Sequence, residues 1–344
     1  MEEQKPIGDM IKPDSLYTGP FLAILCSGFF NTFNNGAFFL FPLFVAERGG
    51  TVADIGYIMG TFSLASVLTR PLMSSAVDRF GRRLSFVYAN LIMLLITLSY
   101  LLFSGRLENF YLPLLLVRAI HGIGSGLAFT AGFTYVADII PAKRMNEGLG
   151  IFGSSGLLGF AIGPAMAEVI IHQLGFPALF PIVAGAPAVG ILLLWFQPES
   201  FVPGNNAGED SYRILFRHAK IYIVAGLILI LGFGLAATNS FVALFARSRG
   251  IMFVSYYFMA YSGAAIAVRL LGGRLVDRVG ETRFAPYAIL ICGLGLILLL
   301  ITYNAVFLVL VGIISGAAHG VLYPCLCTMA VRNEPPGLRA KVMA

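Results

Sequence analysis

Residues 61–83, TFSLASVLTRPLMSSAVDRFGRR, and residues 260–282, AYSGAAIAVRLLGGRLVDRVGET, decide the architecture, because the second stretch repeats the first at an offset of 199. The register pairs Ser63 with Ser262, Ala65 with Ala264, Arg70 with Arg269, Asp78 with Asp277, Arg79 with Arg278 and Gly81 with Gly280. Apolar segments match by chance at Leu and Val, but not at Arg, Asp, Arg and Gly in one order. The repeat extends outward. At an offset of 204, Gly28, Phe29, Asn35, Leu40 and Phe41 pair with Gly232, Phe233, Asn239, Leu244 and Phe245. Farther on, Gly122 and Gly126 pair with Gly316 and Gly320, and Pro141 with Pro335.

The segments that repeat are apolar blocks of membrane-crossing length. The chain is 58% hydrophobic and 12% charged, with a mean hydropathy of +0.85, whereas a soluble domain carries roughly 25% charged residues. Blocks of about 20 apolar residues cross roughly 30 Å of hydrocarbon as helices, since lipid leaves the backbone no other donors or acceptors. Ten are predicted, over 20–45, 53–75, 83–104, 110–137, 147–171, 177–197, 220–246, 253–274, 284–302 and 304–331. The alternation of a membrane β-barrel is missing. The fold class is therefore all-α, a polytopic membrane helical bundle. It divides into a six-helix half, residues 1–197, a cytoplasmic linker, 198–219, and a four-helix half, 220–344. The duplication expects six helices in each half, so counterparts of helices 5 and 6 are expected to be missing from this chain.

Charge sets the orientation. Sixteen Lys and Arg residues fall on the side of the N-terminus and linker, and only Arg48, Arg106, Arg247 and Arg249 on the other. This bias places the N-terminus, linker and C-terminus in the cytoplasm. The net charge of +6 is thereby a matter of topology, not of a nucleic-acid partner. The four cysteines lie in apolar segments with no His cluster beside them, so no metal site or cofactor is expected and buried thiols packing as small hydrophobes are. A nucleophile elbow and a phosphate loop are also missing, which argues against an enzyme.

The segment Ser74 to Arg83, SSAVDRFGRR, resembles the loop 2–3 signature of the major facilitator superfamily, with Ser74 in place of the first glycine. The second copy, GRLVDRVG from Gly273 to Gly280, keeps that glycine but has Glu281-Thr282 after it instead of two arginines. The resemblance implies a transporter in which two halves rock about a central path, working as a monomer in the cytoplasmic membrane. It also implies that Asp78, Arg79, Gly81 and Arg82, and the copies Asp277, Arg278 and Gly280, belong to a cytoplasmic gate. Helix 4 carries Arg118-Ala-Ile-His121-Gly-Ile-Gly, similar to the R-x-x-x-G-x-G signature of proton-coupled members. Helix 5 carries Gly159, Gly163 and Pro164, similar to the core of an exporter signature. A small-residue packing face with a proline kink explains the same three residues without export.

If helices 1, 4, 7 and 10 line the path, as the resemblance implies, the candidate contacts to a small-molecule substrate are Asn31, Asn34, Asn35, Arg118, His121, Asn239 and His319. An arginine in hydrocarbon costs at least about 2.5–3.5 kcal/mol, so Arg118 either faces a cavity or snorkels. Each Asn could serve an interhelical hydrogen bond instead, and each His could be a neutral packing residue. No carboxylate sits at midspan, so a coupling proton falls to Glu168, a histidine or a residue of the missing helices, unless transport is uncoupled. The reading is alternating-access transport of a small solute, with efflux preferred over uptake. Its rival is a transport-inactive protein, truncated or serving as a binding or sensor scaffold.

Overall fold

The computed structural model describes residues 15–200 and 219–331, with the side chains of 142, 146, 219–221, 272–279 and 331 outside the description. Contacts divide the chain into two units, Met1–Val202 and Pro203–Ala344. Of the residues predicted for the linker, 201–218 lie outside the described ones.

The first unit contains α1 (Gly19–Glu47), α2 (Val52–Leu68 continued by Arg70–Phe80), α3 (Arg82–Leu102), α4 (Tyr111–Ile139), α5 (Met145–Leu174) and α6 (Phe176–Trp195). The second contains α7 (Ala219–Ser248), α8 (Ser255–Val279), α9 (Glu281–Leu300) and α10 (Ala305–Val331). Eight of these are long and apolar enough to cross a membrane among the described residues, and the bent α2 makes a ninth. Three tyrosines and Arg269 make α8 more polar than the rest, and it is not among them. Large apolar side chains such as Leu192, Leu271 and Phe196 stand exposed on the outer faces. In water such a surface would drive aggregation; against acyl chains it is matched to its solvent.

Local chemistry explains the ends. Thr18 caps α1, accepting from the Phe21 N–H. Thr51 and Asp54 form a reciprocal capping box at the start of α2, with Thr51 N donating to Asp54 at 2.8 Å. The second predicted span, 53–75, is corrected: it runs to Phe80 and bends by 51° after Leu68. The cause is Pro71, which has no N–H to give the preceding turn and collides with its carbonyl. Gly81 (φ +93) and Gly280 (φ +95) join α2 to α3 and α8 to α9 with no loop between. A side chain is strained at that φ, so the matched glycines of the repeat serve the same reversal twice.

Packing is duplicated as well. In the first unit α4 packs on α2 and α3, and in the second α10 packs on α8 and α9. At Gly122 and Gly126 a methyl group would strike the backbone of Phe62 and Ser66 on α2. At Gly316 and Gly320 it would strike the backbone of Tyr261 and Ala265 on α8. Those four partners are themselves pairs in the 199-residue register. The glycines thus form a seam on which helices touch backbone to backbone, the approach that membrane helices need when lipid supplies no hydrophobic drive between them.

Candidate functional site

Three polar regions stand out, and each lies within one unit. The first is at the cytoplasmic signature. Arg82 pairs with Asp78 one turn back (3.1 Å) and with Asp138 at the end of α4 (3.1 Å). The Glu199 carboxylate, just past α6, accepts from the backbone N–H groups of Arg82 (2.8 Å), Arg83 (3.1 Å) and Leu84 (3.3 Å). It thereby satisfies the open amides at the start of α3 and meets the positive end of that helix. Arg83 donates to the Trp195 and Gln197 carbonyls, Ser200 to Asp138, and Tyr135 to the Pro198 carbonyl. The ends of α2, α4 and α6 are tied to one turn. Asp78, Arg82 and Gly81 are in this network; the Arg79 guanidinium rests instead near the Phe80 ring. In the second copy Gly280 makes the equivalent turn, whereas the side chains of Asp277 and Arg278 lie outside the described residues.

The second region runs through the middle of the first unit. Asn35 donates to the Asn31 side chain (3.3 Å) and carbonyl (3.1 Å), and Asn31 donates to Asn90 of α3 (3.3 Å). Asn34 donates to Thr97 of α3 (3.0 Å) and to the Val183 carbonyl of α6 (3.3 Å). Ser27 adds a bond to the Gly190 carbonyl of α6. Asn31 and Asn34 are buried and hold α1 to its neighbours. Asn35 alone of the three is half-buried.

Toward the opposite end of α4 lies the third. Arg118 is only 1% exposed, so its guanidinium does not snorkel. It reaches the Ile58 carbonyl at 3.5 Å and the Met59 sulfur at 3.3 Å, with the rings of Phe62, Phe41 and Phe38 4.7, 5.1 and 5.7 Å away. His121, one turn on and fully buried, meets the Tyr100 hydroxyl at 3.1 Å. Arg118 Nη1 and His121 Nε2 have no hydrogen-bond partner among the described residues. Aromatic faces, not a carboxylate, surround this charge. Glu168 of α5 is buried elsewhere in the unit.

In the second unit Asn239 and His319 are half-buried, and His319 stacks on Tyr261. The helix 5 residues pack closely on α1: a methyl on Gly159 or Gly163 would run into Thr32, Phe33 and Ala37, and Pro164 lies against Gly36. Sequence reading passed over Glu199, Asn90 and Tyr100. A carboxylate four residues after Trp195, the last residue of α6, was the available signal for the first; nothing local marked the other two. Among the described residues no His, Cys, Asp or Glu group is arranged to hold a metal.

Residues 21–344 match the profile of the Major Facilitator Superfamily. Multidrug resistance protein 1 of Bacillus subtilis (strain 168) is 28% identical over 292 residues, covering 80% of this chain and 72% of that protein. Multidrug resistance protein MdtG of Serratia proteamaculans (strain 568) is 26% identical over 310 residues, covering 85% and 74%. The crystal structure of a D-xylose–proton symporter superposes with a TM-score of 0.76 at 17% identity, over 96% of this chain and 86% of that one. A bacterial homologue of the human lysosomal transporter Spinster, inward-facing and unoccupied, gives 0.73 at 17% identity over 94% and 77%.

Proposed function

We propose that this chain, which belongs to the Major Facilitator Superfamily and is a multi-pass membrane transporter, moves a small solute across the cytoplasmic membrane by alternating access, exporting it. The observation that carries the reading is the glycine seam, built once between α2 and α4 and again between α8 and α10. A pair of units on one packing plan supplies the two bodies that rocking requires. The multidrug resistance proteins it resembles favour export, and the arginine asymmetry favours cytoplasmic termini.

Within that reading, Asp78, Arg82, Asp138 and Glu199 hold the cytoplasmic end of the first unit together as one piece. Asn35, Asn239 and His319, half-buried, are the candidate contacts best placed to meet solute. Asn31 and Asn34 set the frame behind them. Arg118 and His121 are closed off in this conformation and act on solute only through a change in the packing of α2 and α4. Glu168 is the candidate proton acceptor, and protons the candidate coupling ion.

Flux in proteoliposomes tests this. Vesicles carrying the full chain are loaded with ethidium or 2-naphthoate and followed with and without an outside-acid pH gradient, which runs protons inward as the probe leaves. Movement of at least one probe above protein-free vesicles is expected, faster with the gradient. Binding without movement of either would establish the scaffold instead.

A further inference from the structure

The register that aligns the two glycine seams also aligns a second set of residues, and there the units differ in kind. In the first unit the Arg70 guanidinium lies 4.8 Å over the Phe129 ring. In the second, Arg269 lies 6.0 Å over the Tyr323 ring. Position 269 is the partner of 70, and 323 the partner of 129, so an arginine resting on an aromatic face belongs to the shared frame. Around that frame the first unit has Phe62 and Ser125; the second has Tyr261 and His319 at the same places. Of the three substitutions between the copies, the two of Phe to Tyr each add a hydroxyl that the first unit does without, and that of Ser to His exchanges a small hydroxyl for a flat ring with two nitrogens.

The added groups gather along one stripe of α8 and α10. Tyr261 and His319 stack with ring centres 5.6 Å apart and planes 25° from parallel. His319 and Tyr323 follow at 5.8 Å. Arg269 lies two turns from Tyr261, about 12 Å of helix rise, and its charge reaches His319, Tyr261 and Tyr323. The stripe is half-buried rather than sealed. Yet the Tyr261 hydroxyl, Arg269 Nε and His319 Nδ1 have no hydrogen-bond partner among the described residues. Leaving such groups dry and unpaired costs free energy that the packing does not return. All three can donate, and among the described residues no carboxylate forms an ion pair with the guanidinium.

Donors, a positive charge with no ion-pair partner among the described residues and three flat rings describe the complement of a flat anion. We infer that the α8–α10 stripe is a binding site for a planar aromatic carboxylate. Its carboxylate meets Arg269, with the Tyr261 hydroxyl and His319 as further donors, and its ring lies along the Tyr261, His319 and Tyr323 faces. An organic cation of the same shape is rejected by the guanidinium. The site deepens the carrier reading, on which it rests for its purpose; binding is measured apart from flux, so that each can fail separately.

The test is equilibrium binding of tritiated 2-naphthoate to the purified full chain in detergent, with 2-naphthylmethylamine as the cation of equal shape. Saturable naphthoate binding is expected, and competition by the amine at least about tenfold weaker than by unlabelled naphthoate. Arg269→Gln should weaken binding about tenfold or more. Tyr261→Phe and His319→Ser, which restore the residues found in the first unit, should each weaken it roughly threefold to tenfold. Tyr261→Phe removes one oxygen from a packed ring, so its readout does not hinge on refolding. Arg70→Gln, at the equivalent place in the apolar copy, should leave binding unchanged. The inference is overturned by absent saturable binding, by equal competition from the amine, or by Arg70→Gln weakening binding as much as Arg269→Gln.

Discussion

The two units share a skeleton and place their polar residues differently on it. Both bring α4 or α10 onto α2 or α8 through glycines that meet backbone, and both turn at a glycine of positive φ after the repeated signature. In the first unit the charged cluster is Arg118, His121 and Tyr100, sealed among phenylalanines. The aligned places in the second unit are Gly312 and Ser315, where Tyr257 hydrogen-bonds Ser315 and Thr238. Arginine is thus replaced by a glycine whose Cβ would stand 2.8 Å from the Tyr257 carbonyl. Conversely, Phe62, Ser125 and Phe129 become Tyr261, His319 and Tyr323. A duplicated fold separates what the helices need in order to pack, which both copies keep, from what one copy has added.

The widest break in that comparison would come from the seam. Gly122→Leu and Gly316→Leu each drive a branched side chain into a facing backbone carbonyl, which cannot move aside as a side-chain tip can. Each should lower stability by about 3 kcal/mol or more and reduce the yield of monodisperse protein, read by size exclusion after heating. If only one does so, the packing plans differ. Next in size is Arg118→Met, which replaces a buried, carboxylate-free charge by an apolar chain of similar length. Flux should fall below detection, while the apparent Tm stays equal or rises. A lowered Tm with flux retained would make Arg118 a structural residue.

Smaller effects probe features confined to one unit. Glu199→Ala opens three amides at the start of α3 and should cost about 1–2 kcal/mol. Tryptic cleavage at Arg82 or Arg83 should quicken by the corresponding factor. Equal cleavage in wild type and variant would show that the cap holds nothing. Smallest are Arg70→Leu and Arg269→Leu. Each loses a guanidinium–ring contact of about 0.5–1 kcal/mol and a costly half-buried charge, so the two Tm shifts should agree within about 2 °C.

Much of this was legible before any coordinates. The all-helical membrane bundle followed from the apolar blocks, and the family resemblance from matched Arg, Asp and Gly. The bend in α2 was signalled by Arg70-Pro71 inside an otherwise helical pattern, though only the structure shows the span resuming to Phe80. The candidate site was legible in its residue types and not in its wiring. Asn31 meets Asn90 across 59 residues of chain, and no periodicity announces a partner at that separation. Arg118 read as either cavity-facing or snorkelling because both keep a charge wet. Its surroundings are Phe38, Phe41 and Phe62, which on a helix of lipid-like composition look like any other apolar residues. Glu199 fell unremarked within the predicted linker, since its role depends on a helix end more than a hundred residues earlier.

The seam has one more consequence, for how the halves could drift apart. A glycine that touches backbone admits almost no replacement, whereas the partner facing it contributes only backbone to the seam, so the seam itself sets no demand on that partner's side chain. Gly122 and Gly316 are therefore fixed points, and Phe62 and Tyr261 opposite them are open addresses. Chemistry new to one copy could be written at those addresses without renegotiating the fold, and the tyrosine at 261 is where the second copy wrote it.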